Sequence, residues 1–419
     1  MLRRIFVKNG GLAVVGMGTV PAFLCRAALA ASPAEGRKKV LVTIFQRGGA
    51  DGLNIVVPFG DKDYYANRPA IAIPAPVKDK PSARDLDGFF GVHPLLEPLL
   101  PIYKKGNLAV IHAAGSPHTT RSHFEAQDFM ESGAPGNKGV TDGWLNRYLL
   151  NNPDPKATSF RGVSIGPNLP RALAGRAPAL ALGDLADADP ASGYQNTYQK
   201  LYNEETNSLI SGAAKEMFSA IQTIKSLGLE KQQPSMDMTY GRLQGFGASL
   251  RQLAQLIKAD VGVEVAFLDS GGWDTHNNQG GAEGFGALTQ PLRQFALGLA
   301  AFYKDLGDRA EDVVILTMSE FGRTVKENGS AGTDHGHANA MFVMGGPVKG
   351  GKVYGQWPGL AREQLYEGRD LALTTDFRDV FAELLVGHLG CQKPDAVFPG
   401  FAMDSKRFKG LLSSPAVSG

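Results

Sequence analysis

The distribution of hydrophobic residues along the chain predicts a set of buried strands. Four short apolar runs, rich in β-branched residues, each end in a glycine-rich or polar turn: 40–45, 108–112, 263–268 and 313–317. Continuous apolar runs of this length, separated by helical segments, are typical of strands that are buried on both faces of a parallel sheet. The pattern therefore predicts a mostly parallel central sheet.

Helical patterns fall between these runs, over 123–132, 201–228, 238–259, 285–306 and 376–389. Asp376 is a suitable N-cap for the last of these helices. Two stretches, 61–90 and 170–200, are rich in Pro, Ala, Asp and Gly, and we expect them to form surface excursions or a cap. The predicted fold class is α/β, with helices on both faces of the central sheet.

The first 30 residues predict an export signal. An arginine pair is followed at fixed spacing by aromatic, aliphatic and lysine residues in Arg3-Arg4-Ile5-Phe6-Val7-Lys8, which is typical of a twin-arginine signal. The apolar stretch 11–24 is too short and too interrupted to span a bilayer, and a signal-peptidase pattern precedes Ala31. We therefore expect a periplasmic or secreted protein that the twin-arginine translocase exports, with 31–419 as its mature chain.

Composition restricts the partners of that mature chain. The full sequence has 43% hydrophobic residues, so the mature chain can bury a large core, as one α/β domain or two smaller ones. No later window is apolar enough for a membrane span, and no basic run indicates nucleic acid. Cys391 is the only cysteine outside the signal, so no internal disulfide can form. Such a chain can fold in the reducing cytoplasm and bind a metal before export.

Polar clusters follow the predicted strands, at the edge where open α/β sheets bind ligands. After the first strand, Asp51 offers an oxygen ligand for a divalent cation, although its Gly-Gly-x-Asp-Gly context is also typical of an ordinary turn.

After 108–112, Arg121 and Ser122 stand at a predicted helix start, which suits an anion site and a nucleophile. Ser122-x-x-Glu125 is also a capping box, so Ser122 is either a helix cap or a nucleophile.

The other two strands are followed by metal-binding residue types. Asp274 and His276 lie two apart, and a carboxylate with an imidazole suits zinc or manganese; alternatively Asp274 is a cap and His276 a surface residue. Glu320 follows 313–317, and Asp334-His335-Gly336-His337 comes shortly after it. That segment is the densest cluster of ligand types in a chain with eight histidines, although a polar surface loop is the alternative.

Five motifs, occurring in order, resemble an exported bacterial family called domain of unknown function 1501. They are Gly48-Gly49-Ala50-Asp51-Gly52-Leu53-Asn54, Arg121-Ser122-His123-Phe124, Gly272-Trp273-Asp274-Thr275-His276, Ser319-Glu320-Phe321-Gly322-Arg323-Thr324 and Gly332-Thr333-Asp334-His335-Gly336. The resemblance covers most of the mature chain. It implies a distant relation to the alkaline phosphatase and sulfatase superfamily, whose fold is a mostly parallel sheet between helices, and it implies no established activity for the family itself.

The resemblance also implies a role for each candidate residue. The expected metal ligands are Asp51 and Glu320 for one ion, and Asp274, His276 and either His335 or His337 for the other. The expected nucleophile is Ser122, or else Thr119 or Thr120, and the charge expected to hold the anion is Arg121 or Arg323. Phe321 replaces a histidine that the superfamily has beside Glu320, which implies a single metal or a harder site that suits calcium, magnesium or manganese better than zinc.

Two functions follow as expectations. The first is an exported hydrolase of small phosphate or sulfate esters, in which one or two divalent metals (zinc, manganese, calcium or magnesium) assist a hydroxyl nucleophile. The second is an exported, non-catalytic binding or assembly protein that keeps the superfamily's fold. The missing histidine beside Glu320 favours the second function, and the joint presence of the remaining candidate residues favours the first.

Overall fold

The computed structural model describes residues 12–15, 37–183, 217, 219–224, 226–228 and 245–413. Its strands are β1 (Leu12–Val15), β2 (Val40–Gln46), β3 (Val56–Val57), β4 (Arg84–Asp85), β5 (Gly91–Val92), β6 (Leu108–Gly115), β7 (Gly162–Ile165), β8 (Ala179–Leu182), β9 (Val265–Ser270), β10 (Val313–Met318), β11 (Asn339–Gly345), β12 (Val353–Tyr354) and β13 (Thr375–Asp376).

Its α-helices are α1 (Gly52–Ile55), α2 (Lys62–Asn67), α3 (Leu100–Lys104), α4 (His123–Ser132), α5 (Trp144–Asn151), α6 (Phe246–Lys258), α7 (Thr289–Leu306) and α8 (Phe377–Gly387). Residues 219–224 are also helical. Short 3-10 helices cover Pro94–Leu99, Arg171–Leu173, Gly307–Asp312, Arg362–Gln364, Pro394–Ala396 and Ser405–Arg407.

The central sheet is mixed but mostly parallel, which confirms the predicted fold class. Its order is β1-β8-β7-β9-β2-β10-β11-β6-β12, and β13 pairs with β6. The strands β8, β7, β9, β2 and β10 are parallel neighbours, whereas β1 and β11 run antiparallel to the strands they pair with. A separate small antiparallel sheet has the order β3-β5-β4.

Helices cover both faces of this sheet. All of β2 is buried, and its alternate residues pack into two different hydrophobic clusters. Val42 and Ile44 pack in the cluster that holds the apolar residues of α6 and α7. Leu41 and Phe45 pack in the cluster that holds those of α5 and α8. Strands that are buried on both faces are apolar at successive positions and show no alternation of apolar and polar residues. These continuous apolar runs could therefore be recognised from the sequence.

Most of the predicted elements are present, with shifts of a few residues at their ends. The four predicted strands correspond to β2, β6, β9 and β10, and four of the five predicted helices to α4, α6, α7 and α8. The Asp376 side chain accepts a hydrogen bond from Arg378 N, at 2.9 Å, and therefore caps α8 as predicted. Residues 201–216 and 238–244 of the predicted helices lie outside the described residues. In the described part of the chain, no helix has the length and apolar character needed to cross a membrane.

The prediction that 170–200 is a surface excursion is wrong for its first half. Residues Ala179–Leu182 form the fully buried strand β8, in which small and large apolar residues alternate between two packed faces. Residues 184–200 lie outside the described residues. The other expected excursion, 61–90, has many exposed residues, but it also contributes Tyr64 and Arg68, whose side chains are completely buried.

Candidate metal centre

The predicted site residues lie at the carboxyl-terminal edge of the parallel strands. Asp274 follows β9, Glu320 follows β10, and α4 begins at His123 after β6. Parallel strands end at the same edge of a sheet, so the loops that follow them meet there. Three side chains from different loops, His123, Asp274 and His335, have ligand atoms within 4.8 Å of one another.

The His123 ring is held on one side only. Its Nδ1 lies 2.8 Å from Glu320 Oε1, and because a carboxylate accepts hydrogen bonds, Nδ1 carries the hydrogen. Its Nε2 is buried, has no hydrogen-bond partner among the described residues, and lies 3.5 Å from Asp274 Oδ2. The hydrogen bond with Glu320 raises the pKa of His123. A cation near Nε2 would take the place that a second proton otherwise fills.

His276 and His335 meet with their Nε2 atoms facing each other at 2.9 Å. Nδ1 of His276 lies 3.2 Å from Asp334 Oδ1, and Nδ1 of His335 lies 2.8 Å from the carbonyl oxygen of Arg121. Both Nδ1 atoms therefore donate a hydrogen, and in neutral rings both Nε2 atoms carry lone pairs. Two lone pairs at this distance repel unless a proton or a metal ion lies between them.

Asp274 is the carboxylate around which the three imidazoles are grouped. Its Oδ1 lies 3.1 Å from His276 Nε2 and 3.6 Å from His335 Nε2. Arg323 Nη2 also donates to this oxygen, at 2.5 Å. Burial acts to raise the pKa of Asp274, but the hydrogen bond and charge of Arg323, together with the nearby histidines, outweigh it and lower that pKa. Asp274 is thus kept in the anionic form that a metal ligand requires.

Three of these side chains, His123, Asp274 and His335, can hold a divalent metal, and His276 can add a fourth donor, because its Nε2 lies 2.9 Å from His335 Nε2 and 3.1 Å from Asp274 Oδ1. Imidazole nitrogens and a carboxylate oxygen are common ligands of such ions, and each ring has its second nitrogen bound to an oxygen acceptor, as is usual for metal-ligating histidines. No other group of this kind occurs among the described residues. The unpartnered Nε2 of His123 and the opposed Nε2 atoms of His276 and His335 fit a metal better than they fit a set of hydrogen bonds.

Glu320 and Arg323 lie behind this cluster rather than within it. Glu320 Oε1 accepts hydrogen bonds from His123, Gln127 and Gly48 N, at 2.8, 2.8 and 2.9 Å, so it orients His123 where the resemblance implied a direct ligand. Arg323 is almost fully buried, and it donates to the carbonyl oxygens of Gly48, Gly49 and Thr333 as well as to Asp274. Its charge is used to fix the loops of the site.

Asp51 lies apart from the cluster, in a buried ion pair. Arg68 Nη1 and Nη2 donate to its two carboxylate oxygens at 2.6 and 2.9 Å, and Gln279 Nε2 donates at 2.5 Å. Asp51 and Arg68 are both 0% exposed. With both oxygens occupied, Asp51 neutralises Arg68 here, in place of the ligand role that the resemblance implied.

His337 also points away from the three imidazoles. Its ring stacks on Tyr366, with ring centroids 4.4 Å apart. Burial lowers its pKa. Of the two histidines that the sequence left open as the last ligand, the structure brings His335 into the cluster and leaves His337 outside it.

The candidate nucleophile Ser122 occupies the N-cap position of α4, but its side chain accepts no hydrogen bond from the first turn. The predicted capping box is not formed, because the Glu125 carboxylate binds Thr120 Oγ1 and Lys138 Nζ, each at 2.5 Å. Ser122 is exposed, as is Thr119. The Ser122 hydroxyl is therefore not used as a helix cap in this structure.

Arg121, the other expected anion-binding charge, is already paired. Its Nη2 lies 2.7 Å from Glu367 Oε2 and 2.7 Å from Asp370 Oδ2. Asp370 is 0% exposed and also binds Arg369, which donates to the carbonyl oxygen of His335 at 2.9 Å. These contacts fix both the Arg121 carbonyl, which holds the His335 ring, and the His335 backbone.

Four residues of the site were not selected from the sequence: His123, Gln127, Asp334 and Asp370. His123 and Gln127 are four residues apart in a predicted helix, a spacing that places both on one face, so this signal was available. Asp334 is adjacent to a selected histidine. Asp370 gave no comparable signal, because Arg121, the arginine that it holds beside the site, is 249 positions away in the sequence.

Comparison with known proteins gives the following similarities. The fold is similar to that of "Thermus thermophilus alkaline phosphatase", with a TM-score of 0.30 and 11% identity over 73% of this chain and 64% of that chain. It is also similar to the alkaline phosphatase from "the Antarctic bacterium TAB5", with a TM-score of 0.28 and 13% identity over 75% of this chain and 93% of that chain. This chain thus spans about two thirds of the length of the Thermus enzyme. At that level of similarity, neither protein indicates what this chain binds or hydrolyses.

No curated protein sequence is significantly similar to the chain. One family model matches, over residues 107–397, which is more than half of the chain and includes four of the five motifs and every ligand of the cluster. The chain therefore belongs to the family described as "Protein of unknown function (DUF1501)".

Proposed function

We propose that the chain is an exported, metal-dependent hydrolase of phosphate or sulfate esters. One observation carries the proposal: the Nε2 atoms of His123, His276 and His335 are grouped around Asp274, while every Nδ1 faces an oxygen acceptor. In this arrangement the Nε2 lone pairs of the three imidazoles are available, beside the Asp274 carboxylate, to bind a metal ion.

The donor set supports one ion, held by His123, Asp274, His276 and His335. Three imidazole nitrogens and one carboxylate suit zinc or manganese, whereas calcium and magnesium prefer oxygen ligands. The harder, carboxylate-rich site that the sequence suggested would need Asp51 and Glu320, and both of these carboxylates are occupied by hydrogen bonds. We therefore favour a single, nitrogen-rich centre.

When bound, such an ion would lower the pKa of an oxygen nucleophile and neutralise the charge of an anionic ester. Ser122 directly precedes His123, and its hydroxyl is not engaged as a helix cap. We propose this hydroxyl as the nucleophile, positioned by the start of α4. Arg323 would act indirectly, by holding Asp274 in place and keeping it ionised.

We also propose that the protein acts outside the cytoplasm. The support is the Arg3-Arg4 motif with its flanking residues, and a mature chain whose only cysteine, Cys391, is buried and free. A chain without disulfides can fold and bind its metal before the twin-arginine translocase exports it. Among the described strands, β1 lies within the proposed signal, at the edge of the sheet, and pairs with β8.

A second candidate function is an exported binding or assembly protein with a structural metal. The observation that favours it is the pairing of both expected anion-binding arginines. Arg121 binds two carboxylates, and Arg323 is buried among carbonyl oxygens and Asp274. Each guanidinium would have to release one of these partners before it could bind a substrate anion.

The test that separates these functions uses the mature protein loaded with Zn²⁺ or Mn²⁺. It would be assayed with generic aryl phosphate monoesters, phosphate diesters and sulfate esters. We expect hydrolysis of at least one ester class, its loss on chelation, and its loss in Asp274→Asn. His337→Phe, which keeps the stacked ring on Tyr366, is the matched control and should remain active. A protein that binds its metal and hydrolyses none of these esters would support the second function instead.

A further inference from the structure

We propose that Gln127 is a positioning residue of the metal centre: it fixes Glu320, which in turn holds His123 with Nε2 directed towards Asp274. This inference rests on the metal centre proposed above. It concerns a residue that makes no contact with the proposed ligand atoms and acts through another side chain.

The first support is the shared acceptor. Gln127 lies four residues after His123 in α4, so both side chains project from the same face of the helix. Gln127 Nε2 and His123 Nδ1 each lie 2.8 Å from the same atom, Glu320 Oε1. Gly48 N donates to that oxygen as well, at 2.9 Å, while Ser319 Oγ donates to Oε2 at 3.0 Å. Glu320 is 1% exposed, so these donors replace its contact with water.

The second support is that the orientation of the Gln127 amide is fixed from its other end. Arg47 Nη1 donates to Gln127 Oε1 at 3.1 Å, and a guanidinium can only donate. The amide oxygen must therefore face Arg47, and the amide nitrogen must face Glu320. Arg47 is itself held by Glu131 and Asp269, at 2.8 and 2.7 Å. Arg47 thus donates to Gln127, and Gln127 donates to Glu320, which also accepts the hydrogen of His123 Nδ1.

The consequence is a defined tautomer of His123. A Glu320 carboxylate that is fixed by donors on both oxygens accepts the Nδ1 hydrogen of His123, which leaves the Nε2 lone pair for the metal. Without the Gln127 donor, Oε1 loses one of its three hydrogen bonds and the carboxylate can rotate away from His123. Losing the group that hydrogen-bonds a metal-ligating histidine typically costs 10–100-fold in metal affinity, and Gln127 acts on that group, Glu320.

The experiment compares wild type with Gln127→Met and Gln127→Glu in the mature protein. Gln127→Met removes both hydrogen bonds at similar volume. Gln127→Glu keeps the shape and the acceptor for Arg47 but places a carboxylate against Glu320. The control is Gln392→Met, since Gln392 is exposed and its side chain donates to the Gly390 carbonyl, away from the site. Zn²⁺ affinity is measured by competition with a chelator. We expect the dissociation constant to rise by roughly ten- to a hundred-fold in both Gln127 variants and to stay unchanged in the control.

A second measurement needs no metal. Long-range ¹H–¹⁵N spectra of the metal-free protein, at alkaline pH, report which ring nitrogen of His123 carries the hydrogen. Wild type should show the Nδ1–H tautomer, and the Gln127 variants should show a mixture of both tautomers. A merely structural role of Gln127 would lower thermal stability without moving this equilibrium. If Gln127→Met does not fold, the near-isosteric Gln127→Glu carries the test.

Folded Gln127 variants with wild-type Zn²⁺ affinity and an unchanged His123 tautomer would overturn the inference. Failure of the metal centre itself has a different signature, because wild type would then not bind Zn²⁺ at all. In that case the tautomer measurement still decides whether Gln127 positions His123 through Glu320.

Discussion

His276 Nε2 and His335 Nε2 lie 2.9 Å apart, and the Nδ1 atom of each ring faces an oxygen acceptor. In the absence of a shared proton, two lone pairs meet at this contact. The same contact becomes favourable when a cation binds both nitrogens, so the apposition of the two rings supports the proposed metal centre.

A divalent metal should therefore be present in the purified protein, and removing its ligands should release it. We expect Asp274→Asn and His335→Ala to lose the metal, because each removes a donor from the centre. Wild type should gain about 2.7 kcal/mol of stability at a metal concentration one hundred times the dissociation constant, and the variants should gain none. Elemental analysis and thermal unfolding with and without chelator measure both effects. The same metal content in wild type and both variants would contradict the assignment.

Asp51→Asn should act on stability and leave the metal in place. Asp51 and Arg68 form a completely buried pair, so the substitution leaves Arg68 with an uncompensated charge. Breaking such a pair typically costs about 3 to 5 kcal/mol of the free energy of unfolding. Denaturant unfolding measures the loss, and elemental analysis of the folded protein should still find the metal. Loss of metal without a loss of stability would return Asp51 to the set of ligands.

The central strands could be predicted because each is buried on both faces and needs β-branched residues throughout. β8 and β11 lacked that signal. Ala179–Leu182 is an Ala-Leu alternation in a segment rich in Pro and Gly, and Asn339–Gly345 has two methionines and only one β-branched residue, Val343. Both became strands because neighbouring strands were in place to pair with them, which is a tertiary effect that local propensity does not contain.

The residues of the site also divide into those that the sequence predicts and those that only the fold brings together. Asp274, His276 and His335 could be proposed from the sequence, because ligand-type residues follow predicted strands. The pairing of Asp51 with Arg68 could not be predicted from the sequence. Arg68 lies in a segment of polar, loop-like composition, where an arginine is normally a surface residue. The burial of Arg68 follows from contacts with Val325 and Thr324 carbonyls, which are more than 250 positions away.

Acid should destabilise the protein through His112. Ala113 N donates to His112 Nδ1 at 2.9 Å, and the ring binds the Val56 carbonyl through Nε2 at 3.1 Å, so the neutral ring is fully satisfied. Burial lowers the pKa of His112 to about 4. Between the unfolded value of about 6.5 and the native value, the unfolded chain binds more protons, so stability falls as pH falls. The contribution, on the order of 3 kcal/mol, is complete above the unfolded pKa and lost below the native one.

The measurement is the free energy of unfolding across that pH range, for wild type and His112→Asn. Asparagine can still accept from Ala113 N but does not titrate, so the variant should be less stable overall and less sensitive to acid. Burial also lowers the pKa of His388 to about 4, and His388→Asn should reduce the slope in the same way. A wild-type slope in both variants would mean that other groups cause the acid sensitivity.

Export should depend on the arginine pair. We expect replacement of Arg3 and Arg4 by lysine to leave full-length precursor in the cytoplasm, because the twin-arginine pathway reads the pair itself and not its charge alone. Cell fractionation and immunoblotting of wild type and the double lysine variant give the result. Lys8→Arg is the control, because it keeps the charge and lies outside the pair. Normal processing of the double lysine variant would remove the twin-arginine assignment.

Ser122 allows the sharpest separation of structure from catalysis. Its side chain makes no capping bond, so Ser122→Ala should change the free energy of unfolding by well under the ~1 kcal/mol that a lost cap costs. If the hydroxyl is the nucleophile, the same variant should lose ester hydrolysis by orders of magnitude while it stays folded and keeps its metal. Ser122→Asp, which offers a good cap acceptor but no hydroxyl, should be equally inactive.

The competing nucleophiles are distinguished in the same assay. Thr120 Oγ1 donates to Glu125 Oε2 at 2.5 Å, so Thr120→Val should perturb the loop, whereas Thr119 is exposed and Thr119→Ala should leave the fold intact. Because an added carboxylate can compete for the metal, Ser122→Asp counts only when Ser122→Ala agrees with it. Hydrolysis that is unchanged in Ser122→Ala and abolished in Thr119→Ala would assign the nucleophile to Thr119. Hydrolysis that survives in every hydroxyl variant but is lost on chelation would assign it to water activated at the metal centre.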